Sequence, residues 1–570
     1  MAEDKQVSAD EIFKQFKEHS ISEFFRRNSQ MLGYSGKVRS LTTIVHEYVS
    51  NSLDACEEAG ILPEISVEVK QLDEDKYFVK VSDNGPGIPS KHVGKALATV
   101  LAGTKFNRYV QQRGQQGIGA SGCTLYSQIT TGKPIHVSAF TSKEGYDCDI
   151  TIDIKGNKPI ISGMENSGAK EGVHGTSIYG EFGDVKYENS DHGVYEYLKR
   201  TALSNPHASI KLLDPEGKET IFMRSTEEMP SKPKQIKPHP LGIGTNDLIE
   251  FAHRSESRKL SAFLMETFSR ISQGKIAELK ALEQGINFEM DPHQMKWDDA
   301  EKLVRAFKQI KWIAPELDSL STIGEKQMGV AIKNILNPTF QSVIERKPKV
   351  FKGGVPFVVE AGIAYGGGAG KEVKEKKKDE TRSLGEESPL AEGNVLRFAN
   401  KVPLLFDASN CAITDAVKTI QWKRYGIANF DEEPISVMVN VSSVYVPYSG
   451  VGKQAIAQEE EIIEEIKLAV MDCGRTVQRY ISGVRNMKAQ ESRYKTIMRY
   501  VSQLSKDLSD ITAIKQEKIE EQLKSLIERK YKSLFEAPSA SQDTASDSEE
   551  NDNGKEKNKK KDEAEREEED

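Results

Sequence analysis

The sequence lacks the features that would mark a membrane or secreted protein. It contains no run of roughly 18 apolar residues, so no transmembrane helix is indicated. The segment Met1–Lys5 is polar and lacks the apolar region of a signal peptide. The five cysteines are scattered and form no C-x-x-C pair, which argues against a disulfide framework or a zinc site. These absences together predict a cytoplasmic protein that works in a reducing environment and has no membrane partner.

Length and charge set the next limits. A chain of 570 residues is too long for one hydrophobic core, so about two to four domains are expected. Much of the net charge of −8 lies in residues 541–570, which carry thirteen acidic and six basic side chains. The rest of the chain is nearly neutral. That balance neither proves nor excludes DNA binding, because DNA binding depends on local charged patches.

The pattern around His46–Ala55 predicts an amphipathic helix from about Val38 to Ala59. Its apolar residues recur at the spacing of one buried stripe, namely Leu41, Ile44, Val45, Tyr48, Val49 and Leu53. Glu47, Asn51 and Asp54 are four and then three positions apart, so they share one edge of the helix. A carboxylate one turn before a carboxamide can prime a water molecule and hold a hard cation beside it. An ordinary surface helix has the same pattern, so the neighbouring motifs decide between the two interpretations.

Three glycine-containing motifs follow the helix. A short alternating strand leads into Asp83-Asn84-Gly85-Pro86-Gly87-Ile88, in which two glycines and a proline predict a tight turn directly after an acidic residue. The segment Gly114-Gln115-Gln116-Gly117-Ile118-Gly119 leads into a helix near Ala120, and His174-Gly175-Thr176 comes later. Glycine lets the backbone approach a ligand closely, and a helix N-terminus offers free N–H groups. The second motif can therefore cradle phosphates.

These four pieces, in this order, resemble the ATP-binding fold shared by DNA gyrase, heat-shock chaperones, histidine kinases and mismatch-repair ATPases, the GHKL or Bergerat fold. Flanking segments make the chain similar to the B-subunit family of archaeal DNA topoisomerase VI, and they are Glu23–Arg26, Gln30–Gly33, Gly103–Phe106 and Arg113–Ser121. The resemblance extends from about residue 20 to about residue 535. Its nucleotide-binding motifs are specific, whereas its middle and C-terminal parts are less so.

The resemblance implies an α+β multidomain fold. A GHKL α/β sandwich with an N-terminal strap is expected over residues 1–228 and a small helix–two-turn–helix domain over 229–325. An α/β transducer domain with a long C-terminal helix is expected over 326–535. Composition predicts a flexible insertion at 366–389 and a disordered, charged tail at 536–570.

Periodicity places the elements of the later domains. It predicts a helix over Arg258–Gln273, a strand over Phe351–Ala364 and a helix over Cys411–Trp422. No proline occurs between Pro447 and Pro538, and apolar residues recur there at helical intervals. That span therefore predicts a long helix of about 30 residues.

The resemblance also implies roles for individual residues. Glu47 is expected to be the general base that activates the attacking water, and Asn51 the side-chain ligand of Mg²⁺ bound with ATP. Asp83 is expected to accept a hydrogen bond from the adenine amino group, supported by Thr176 through water, with Gly87 near the base. The remaining expected nucleotide contacts lie in or next to the glycine-rich lid, and they are Thr104, Lys105, Gly114, Gln115, Gln116, Gly117, Ile118, Gly119, Ala120 and Ser121.

A distant lysine completes the expected site. Lys453 lies in the loop Ser449–Ala455, between the last strand and the long helix. In the family a lysine at this point reaches the γ-phosphate of ATP from the second domain, so Lys453 is expected to be both catalytic and nucleotide-binding. From spacing alone, an ordinary solvated loop lysine is the other interpretation.

The function implied by the resemblance is that of the ATPase subunit of a heterotetrameric type IIB DNA topoisomerase. Two copies would dimerise on binding ATP and capture one DNA duplex. A separate DNA-cleaving A subunit would cut a second duplex in an A2B2 assembly. A chaperone or mismatch-repair ATPase on the same nucleotide fold, and a protein that only binds its ligand, remain alternatives.

Three other motif interpretations fail on the sequence. His46-Glu47 begins a zinc-protease pattern, but the second histidine is missing. Gly117, Gly119 and Gly122 match a dinucleotide fingerprint, but a Gln- and Arg-rich loop precedes them instead of a strand. A histidine kinase needs a phosphoacceptor helix ahead of its ATP motifs, for which about 40 residues leave little room.

Two basic segments are candidates for contact with DNA phosphates. In Trp422-Lys423-Arg424-Tyr425 the aromatic residues are expected to anchor in a core, while Lys423 or Arg424 could contact DNA. Lys155 and Lys158 flank a glycine in an expected loop and have the same two interpretations.

Overall fold

The computed structural model describes residues 33–99, 109–114, 117–153, 156–283, 285–313, 315, 317–370, 395–450 and 452–531. The expected strap before residue 33, the lid residues Thr104, Lys105, Gln115 and Gln116, residues 371–394 of the insertion region and the tail beyond Tyr531 lie outside these ranges. The chain divides into two compact units, Met1–Gln478 and Arg479–Asp570. Within the described ranges, no helix is long and apolar enough to cross a membrane.

The first sheet has eight strands in the order β5-β4-β3-β6-β2-β1-β7-β8. Their bounds are Glu64–Asp73 (β1), Lys76–Asp83 (β2), Ile135–Phe140 (β3), Gly145–Asp153 (β4), Lys158–Asn166 (β5), Gly175–Gly183 (β6), Ser209–Leu213 (β7) and Glu219–Phe222 (β8). All neighbours are antiparallel except β1 and β7. Every second residue of β3 is buried, so one face of the sheet is covered, as the alternation predicted.

Four helices accompany this sheet. They are α1 (Lys37–Ala59), α2 (Ser90–Ala98), α3 (Gly119–Thr131) and α4 (Val194–Ser204). The predicted apolar stripe of α1 is confirmed, because all six of its residues are at most 1% exposed. Burying each large apolar side chain stabilises the fold by roughly 1.5–3 kcal/mol, so the stripe fixes the rotation of α1 against the sheet. The helix ends at Gly60, which has a left-handed backbone, as expected for a helix stop.

A group of short helices follows with a core of its own. These helices are α5 (Thr245–His253), α6 (Leu260–Thr267), α7 (Gln273–Leu282) and α8 (Trp297–Gln309). The single helix predicted over Arg258–Gln273 is wrong. Phe268 is extended and packs edge-on against Phe263, so packing in the aromatic core ends α6. The side chain of Ser272 then caps α7 by accepting a hydrogen bond from the Lys275 N–H.

The second sheet contains six strands, and β9 pairs with β11 beside the path β10-β11-β14-β12-β13. Its strands are Phe340–Glu345 (β9), Lys349–Phe351 (β10), Val355–Tyr365 (β11), Val395–Ala399 (β12), Val402–Pro403 (β13) and Ile435–Ser443 (β14). Helix α9 (Glu325–Leu336) and helix α10 (Ala412–Lys418) accompany it. The domain limits 1–228, 229–325 and 326–535 stay predictions.

Two predicted elements of this region are wrong. The strand over Phe351–Ala364 is a hairpin, because Lys352 and Gly353 have positive φ and form a turn between β10 and β11. The helix over Cys411–Trp422 stops at Lys418, and Trp422–Tyr425 forms a separate 3₁₀ turn. The Trp422 indole donates a hydrogen bond back to Val417 O, which folds this turn onto the end of α10.

The long C-terminal helix α11 spans Glu460–Thr512, which is 53 residues and longer than predicted. A further helix, α12 (Gln516–Lys530), was not predicted. The apolar stripe that revealed α11 fades in its later part, where ion pairs such as Lys495–Glu491 at i,i+4 spacing support the helix instead. A pattern of apolar residues alone therefore underestimates its length.

The turn after β2 depends on the backbone of Gly87. This residue has φ +74°, and a Cβ placed on it would lie 2.1 Å from Phe140 O. Such a contact is far inside van der Waals range, so only glycine allows β3 to pass this close. Gly60 at the end of α1 has the same φ, but a Cβ there would meet nothing within 4 Å.

Glu360 is a carboxylate in the interior of the second sheet and is 1% exposed. It accepts hydrogen bonds from the backbone N–H groups of Ile323 and Gly324, just before α9, and from Asn440 Nδ2 on β14. Burial raises the pKa of Glu360 to about 7, and these hydrogen bonds only partly oppose the shift. One buried acid thus ties the segment before α9 to the centre of the sheet.

Gly60 and Gly87 form a matched pair for testing the turn. Gly60→Ala should cost about 1 kcal/mol, because it only forces alanine into a left-handed backbone. Gly87→Ala should cost at least about 3 kcal/mol, because the new Cβ also pushes the turn after β2 away from the end of β3. Hydrogen exchange of the β2 and β3 amides measures the local opening free energy. Equal losses in the two variants would contradict the close approach at Gly87.

Glu360 should make stability depend on pH. Its pKa is raised in the folded protein, so between about pH 4.5 and about pH 7 the folded state holds more protons than the unfolded state. Stability should therefore fall by about 3 kcal/mol as the pH rises across this window. Glu360→Gln should remove this dependence. Urea unfolding from pH 5 to pH 8, compared between the two proteins, measures the difference, and parallel pH profiles would contradict the shifted pKa.

Candidate functional site

One cavity of about 1340 Å³ brings together most of the predicted site residues. Its walls come from α1, the turn after β2, the glycine-rich segment before α3, strand β6 and the loop after β14. The predicted residues that line it are Glu47, Asn51, Asp83, Gly87, Gly114, Gly117, Ile118, Gly119, Ala120, Thr176 and Lys453. Ser121 does not line the cavity, because it is buried in α3 and its hydroxyl donates to Ile118 O.

Helix α1 presents its polar edge to the cavity. Glu47, Asn51 and Asp54 all line the wall, as their spacing predicted. The carboxylate of Glu47 lies directly against the start of α3. A Cβ on Gly119 would fall 1.8 Å from Glu47 Oε2, so only glycine leaves the carboxylate in its place.

Asp83 lies at the end of β2 and holds its carboxylate in a fixed orientation. Oδ2 accepts a hydrogen bond from Ser52 Oγ at 2.8 Å, and Oδ1 accepts from the backbone N–H groups of Gly85 at 2.9 Å and Thr176 at 3.2 Å. Burial raises the pKa of Asp83, and these three donors oppose the shift. Asp83 is paired with Thr176 in the ladder between β2 and β6, which explains why these distant residues meet.

The glycine-rich segment ends at the N-terminus of α3. Gly117 has φ +58°, and Ile118, the residue before the helix, provides no side-chain cap. The first N–H groups of an α-helix have no partner within the helix, and the helix dipole makes this end favourable for anions. Gly119 and Ala120 line the cavity, so the start of α3 faces it.

Lys453 reaches the same cavity from the second sheet. Its loop follows β14 and is closed at its base by the hydrogen bond from Ser449 N to Ala455 O. Lys453 itself has φ +52°. Burial lowers the pKa of Lys453, while the negative charges of Glu47 and Asp54 oppose that shift. Gly452, Lys453 and Gln454 all line the cavity, so this part of the loop faces it.

Arg113 has a role that the sequence pattern did not predict, although it begins the glycine-rich segment. Its guanidinium is almost fully buried, with Nη1 2.7 Å from Asp54 Oδ1 and Nη2 2.5 Å from Glu57 Oε1. Nη2 also donates to Asn205 Oδ1 at 2.5 Å. Arg113 therefore binds the base of the lid to the C-terminal part of α1. The only sequence signal for this role was the position of an arginine next to a glycine-rich loop.

Two further cavity residues come from the helical region. Glu250 on α5 and Arg254 directly after it form an ion pair of 2.6 Å and line the wall. No local sequence signal brings a helix some 200 positions away to the cavity, so this contact was not predicted.

The structure tests only part of the predictions for the two basic segments. Trp422 and Tyr425 are buried, which confirms that they anchor in a core, and Lys423 and Arg424 are exposed. Lys158 lines the cavity, whereas Lys155 lies outside the described residues. Contact of any of these basic residues with DNA stays a prediction.

Two family models match the chain. The model described as "Histidine kinase-, DNA gyrase B-, and HSP90-like ATPase" matches residues 36–158, which contain α1, the turn after β2 and the glycine-rich segment. The model described as "Topoisomerase VI B subunit, transducer" matches residues 315–493, which contain the second sheet and the Lys453 loop. These matches confirm the predicted combination of a GHKL ATPase domain and a transducer domain.

Named relatives cover nearly the whole chain. The B subunit of type 2 DNA topoisomerase 6 from Pyrococcus horikoshii is 43% identical, across 92% of this chain and 97% of the relative. The protein of the same name from Thermococcus gammatolerans is 42% identical across 92% and 98%. That from Methanothermobacter thermautotrophicus is 44% identical across 85% and 90%. The chain therefore belongs to the family of type 2 DNA topoisomerase 6 B subunits.

Proposed function

We propose that this chain is the ATP-hydrolysing B subunit of a type IIB DNA topoisomerase. ATP binding and hydrolysis drive the passage of one DNA duplex through a break that a separate A subunit makes in another. The observation that carries the proposal is that Glu47 of α1 and Lys453 from the second sheet line the same cavity. A ligand held there contacts two separately folded parts of the chain.

The cavity offers ATP a distinct environment for each of its parts. Asp83 Oδ2 accepts one hydrogen bond from Ser52, and a carboxylate oxygen can accept another, so it can bind the adenine amino group. Gly87 lines the cavity as well, so its backbone can lie next to the base. The phosphates then lie at the start of α3, where the N–H groups of Gly119 and Ala120 and the helix dipole favour negative charge.

Glu47 is positioned to act as the general base. Its carboxylate lines the cavity next to the start of α3, so it can take a proton from a water molecule that attacks the terminal phosphate. Asn51 lies one turn later on the same edge of α1, and its amide oxygen is the kind of ligand that Mg²⁺ prefers. Bound Mg²⁺ would offset the negative charge of the phosphates.

Lys453 supplies the link between chemistry and movement. An ammonium on a flexible stem forms its strongest contact with the terminal phosphate, so that contact differs before and after hydrolysis. The position of the second sheet relative to the first then depends on which nucleotide is bound. Two copies pair when ATP is bound, capture a duplex and act with two A subunits in an A2B2 assembly.

A chaperone or mismatch-repair ATPase on the same fold is the alternative. Both alternatives would hydrolyse ATP, so ATPase activity does not separate them from a topoisomerase. ATP-dependent relaxation of supercoiled plasmid in the presence of the A subunit distinguishes a topoisomerase from both alternatives. Failure of the purified pair to relax plasmid at any ATP concentration would contradict the proposed function.

Glu47→Ala should abolish hydrolysis and preserve binding. The variant keeps Asp83, the start of α3 and Lys453, so ATP affinity and ATP-driven pairing should change less than about threefold. Turnover should fall by at least about a hundredfold, in line with the loss of a general base. Glu58→Ala on the exposed end of the same helix is the control and should hydrolyse normally. Normal ATP turnover by Glu47→Ala would contradict the assignment of Glu47 as the general base.

Lys453→Met should weaken nucleotide-driven closure. The substitution keeps most of the side-chain length but removes the charge that reaches the terminal phosphate. Chemical cross-linking of two copies in the presence of a non-hydrolysable ATP analogue measures closure, and the cross-linked fraction should fall severalfold. Lys347→Met, an exposed lysine after β9, is the control. An undiminished cross-linked fraction in Lys453→Met would exclude a sensing role.

A further inference from the structure

A two-residue turn in the second sheet has an unusual composition. Asn400 and Lys401 connect β12 and β13, and both have a left-handed backbone, with φ +49° and +66°. Such turns favour glycine at the second position. A side chain other than glycine, asparagine or aspartate costs roughly 1–2 kcal/mol in this conformation. The cost indicates that the Lys401 side chain has a role that glycine could not fill.

The Lys401 side chain points into a buried cluster of charges. It is 5% exposed, its Nζ donates to Ser321 Oγ at 3.0 Å, and it lies 4.0 Å from Glu57 Oε2. Glu57 also contacts Arg113 and His207 Nε2, the latter at 2.9 Å. Burial lowers the pKa of Lys401, whereas the pKa of Glu57 lies well below its usual value because Arg113 and Lys401 outweigh burial.

The backbone of the turn is fixed to the first domain. Lys401 O accepts hydrogen bonds from Ser204 Oγ at 2.7 Å and Asn205 Nδ2 at 3.1 Å, at the end of α4. Asn400 Nδ2 donates to Gln112 O at 3.0 Å, next to Arg113. Each of these contacts joins the second sheet to a helix or loop of the first domain.

The same turn is fixed to the strand that leads to Lys453. Asn400 Oδ1 accepts from Ser443 N at 2.9 Å, and Lys401 N donates to Asn440 Oδ1 at 3.1 Å, both on β14. The domain of the second sheet therefore touches α1 at three points. Arg39, near the start of the helix, pairs with Asp407 at 3.2 Å, and the two lysines approach further along. Lys453 lies near Glu47, and Lys401 lies near Glu57, which is ten residues or about 15 Å further along the helix.

The Lys453 and Lys401 contacts with α1 differ in their surroundings. Lys453 faces an open cavity in which a ligand can come and go. Lys401 faces protein groups only among its described contacts, and separating a buried ammonium from its carboxylate leaves an uncompensated charge at high cost. The Lys401 contact should therefore persist when the Lys453 contact changes.

We propose that the Asn400-Lys401 turn is the pivot about which the second sheet moves, and that Lys401 is a positioning residue that holds α1 at Glu57. The link to nucleotide rests on the proposed function, but the pivot itself does not. A second cavity of about 290 Å³ borders Glu57 and Lys401.

The test measures the distance between the two sheets in the absence of nucleotide. Spin labels are placed at Lys218→Cys and Asp431→Cys, both exposed, and the five native cysteines are buried. Lys401→Met should broaden the distance distribution at least twofold. It should also lower the kcat for ATP about tenfold with little change in KM, because the variant loses a buried contact that couples the two sheets.

The matched control is Lys352→Met. Lys352 also has a left-handed φ, +48°, in a hairpin turn of the same sheet, but it is exposed and pairs with Glu459. It should leave the distance distribution and kcat unchanged. Lys401→Arg keeps the charge and should restore both. Adding Glu57→Gln to Lys401→Met should broaden the distribution no further than Lys401→Met alone.

A second variant guards against misfolding. Lys401→Gly suits the left-handed backbone and removes only the side chain, so it should fold and still broaden the distribution. A narrow distribution in both Lys401→Met and Lys401→Gly would overturn the pivot. If the unaltered protein failed to hydrolyse ATP, the proposed function would fail, while the nucleotide-free distances would still decide for or against the pivot.

Discussion

The burial of one face of α1 is the constraint on which the site depends. Leu41, Tyr48 and Leu53 are among the side chains that lock the helix against the first sheet, and this fixes its rotation. This rotation turns Glu47 and Asn51 toward the cavity. The orientation of the polar edge is thus set by packing on the opposite side of the same helix, and a small rotation of α1 would move Glu47 and Asn51, the proposed base and metal ligand, together.

The second sheet approaches this helix through two lysines. Lys453 lines the same cavity as Glu47, and Lys401 lies 4.0 Å from Glu57, closer to the end of α1. Both lysines belong to segments attached to β14. The Lys453 loop follows this strand, and the Asn400-Lys401 turn is bound to it by hydrogen bonds between backbone N–H groups and asparagine side chains. Under the two proposals above, a ligand that changes the Lys453 contact would rotate the second sheet, while the Lys401 contact would keep the two parts in register.

Local patterns predicted the parts of the site that are contiguous in sequence. Helix α1, the Asp83 turn and the start of α3 were placed correctly, because apolar spacing and glycines report on nearby backbone. The break at Phe268 was missed because its packing against Phe251 and Phe307, which are distant in sequence, overrides local helix propensity. The roles of Arg113 and Lys401 were missed for a related reason. Their partners lie dozens to hundreds of positions away, and no periodicity encodes such contacts.

The central claim is that ATP is held by both sheets at once. A crystal structure with a non-hydrolysable ATP analogue and Mg²⁺ tests it most directly. We expect paired copies, the Lys453 ammonium within about 3 Å of a terminal phosphate oxygen, and Glu47 facing that phosphate. A bound analogue contacted only by the first sheet, with the loop after Tyr448 turned into solvent and the copies unpaired, would contradict the claim.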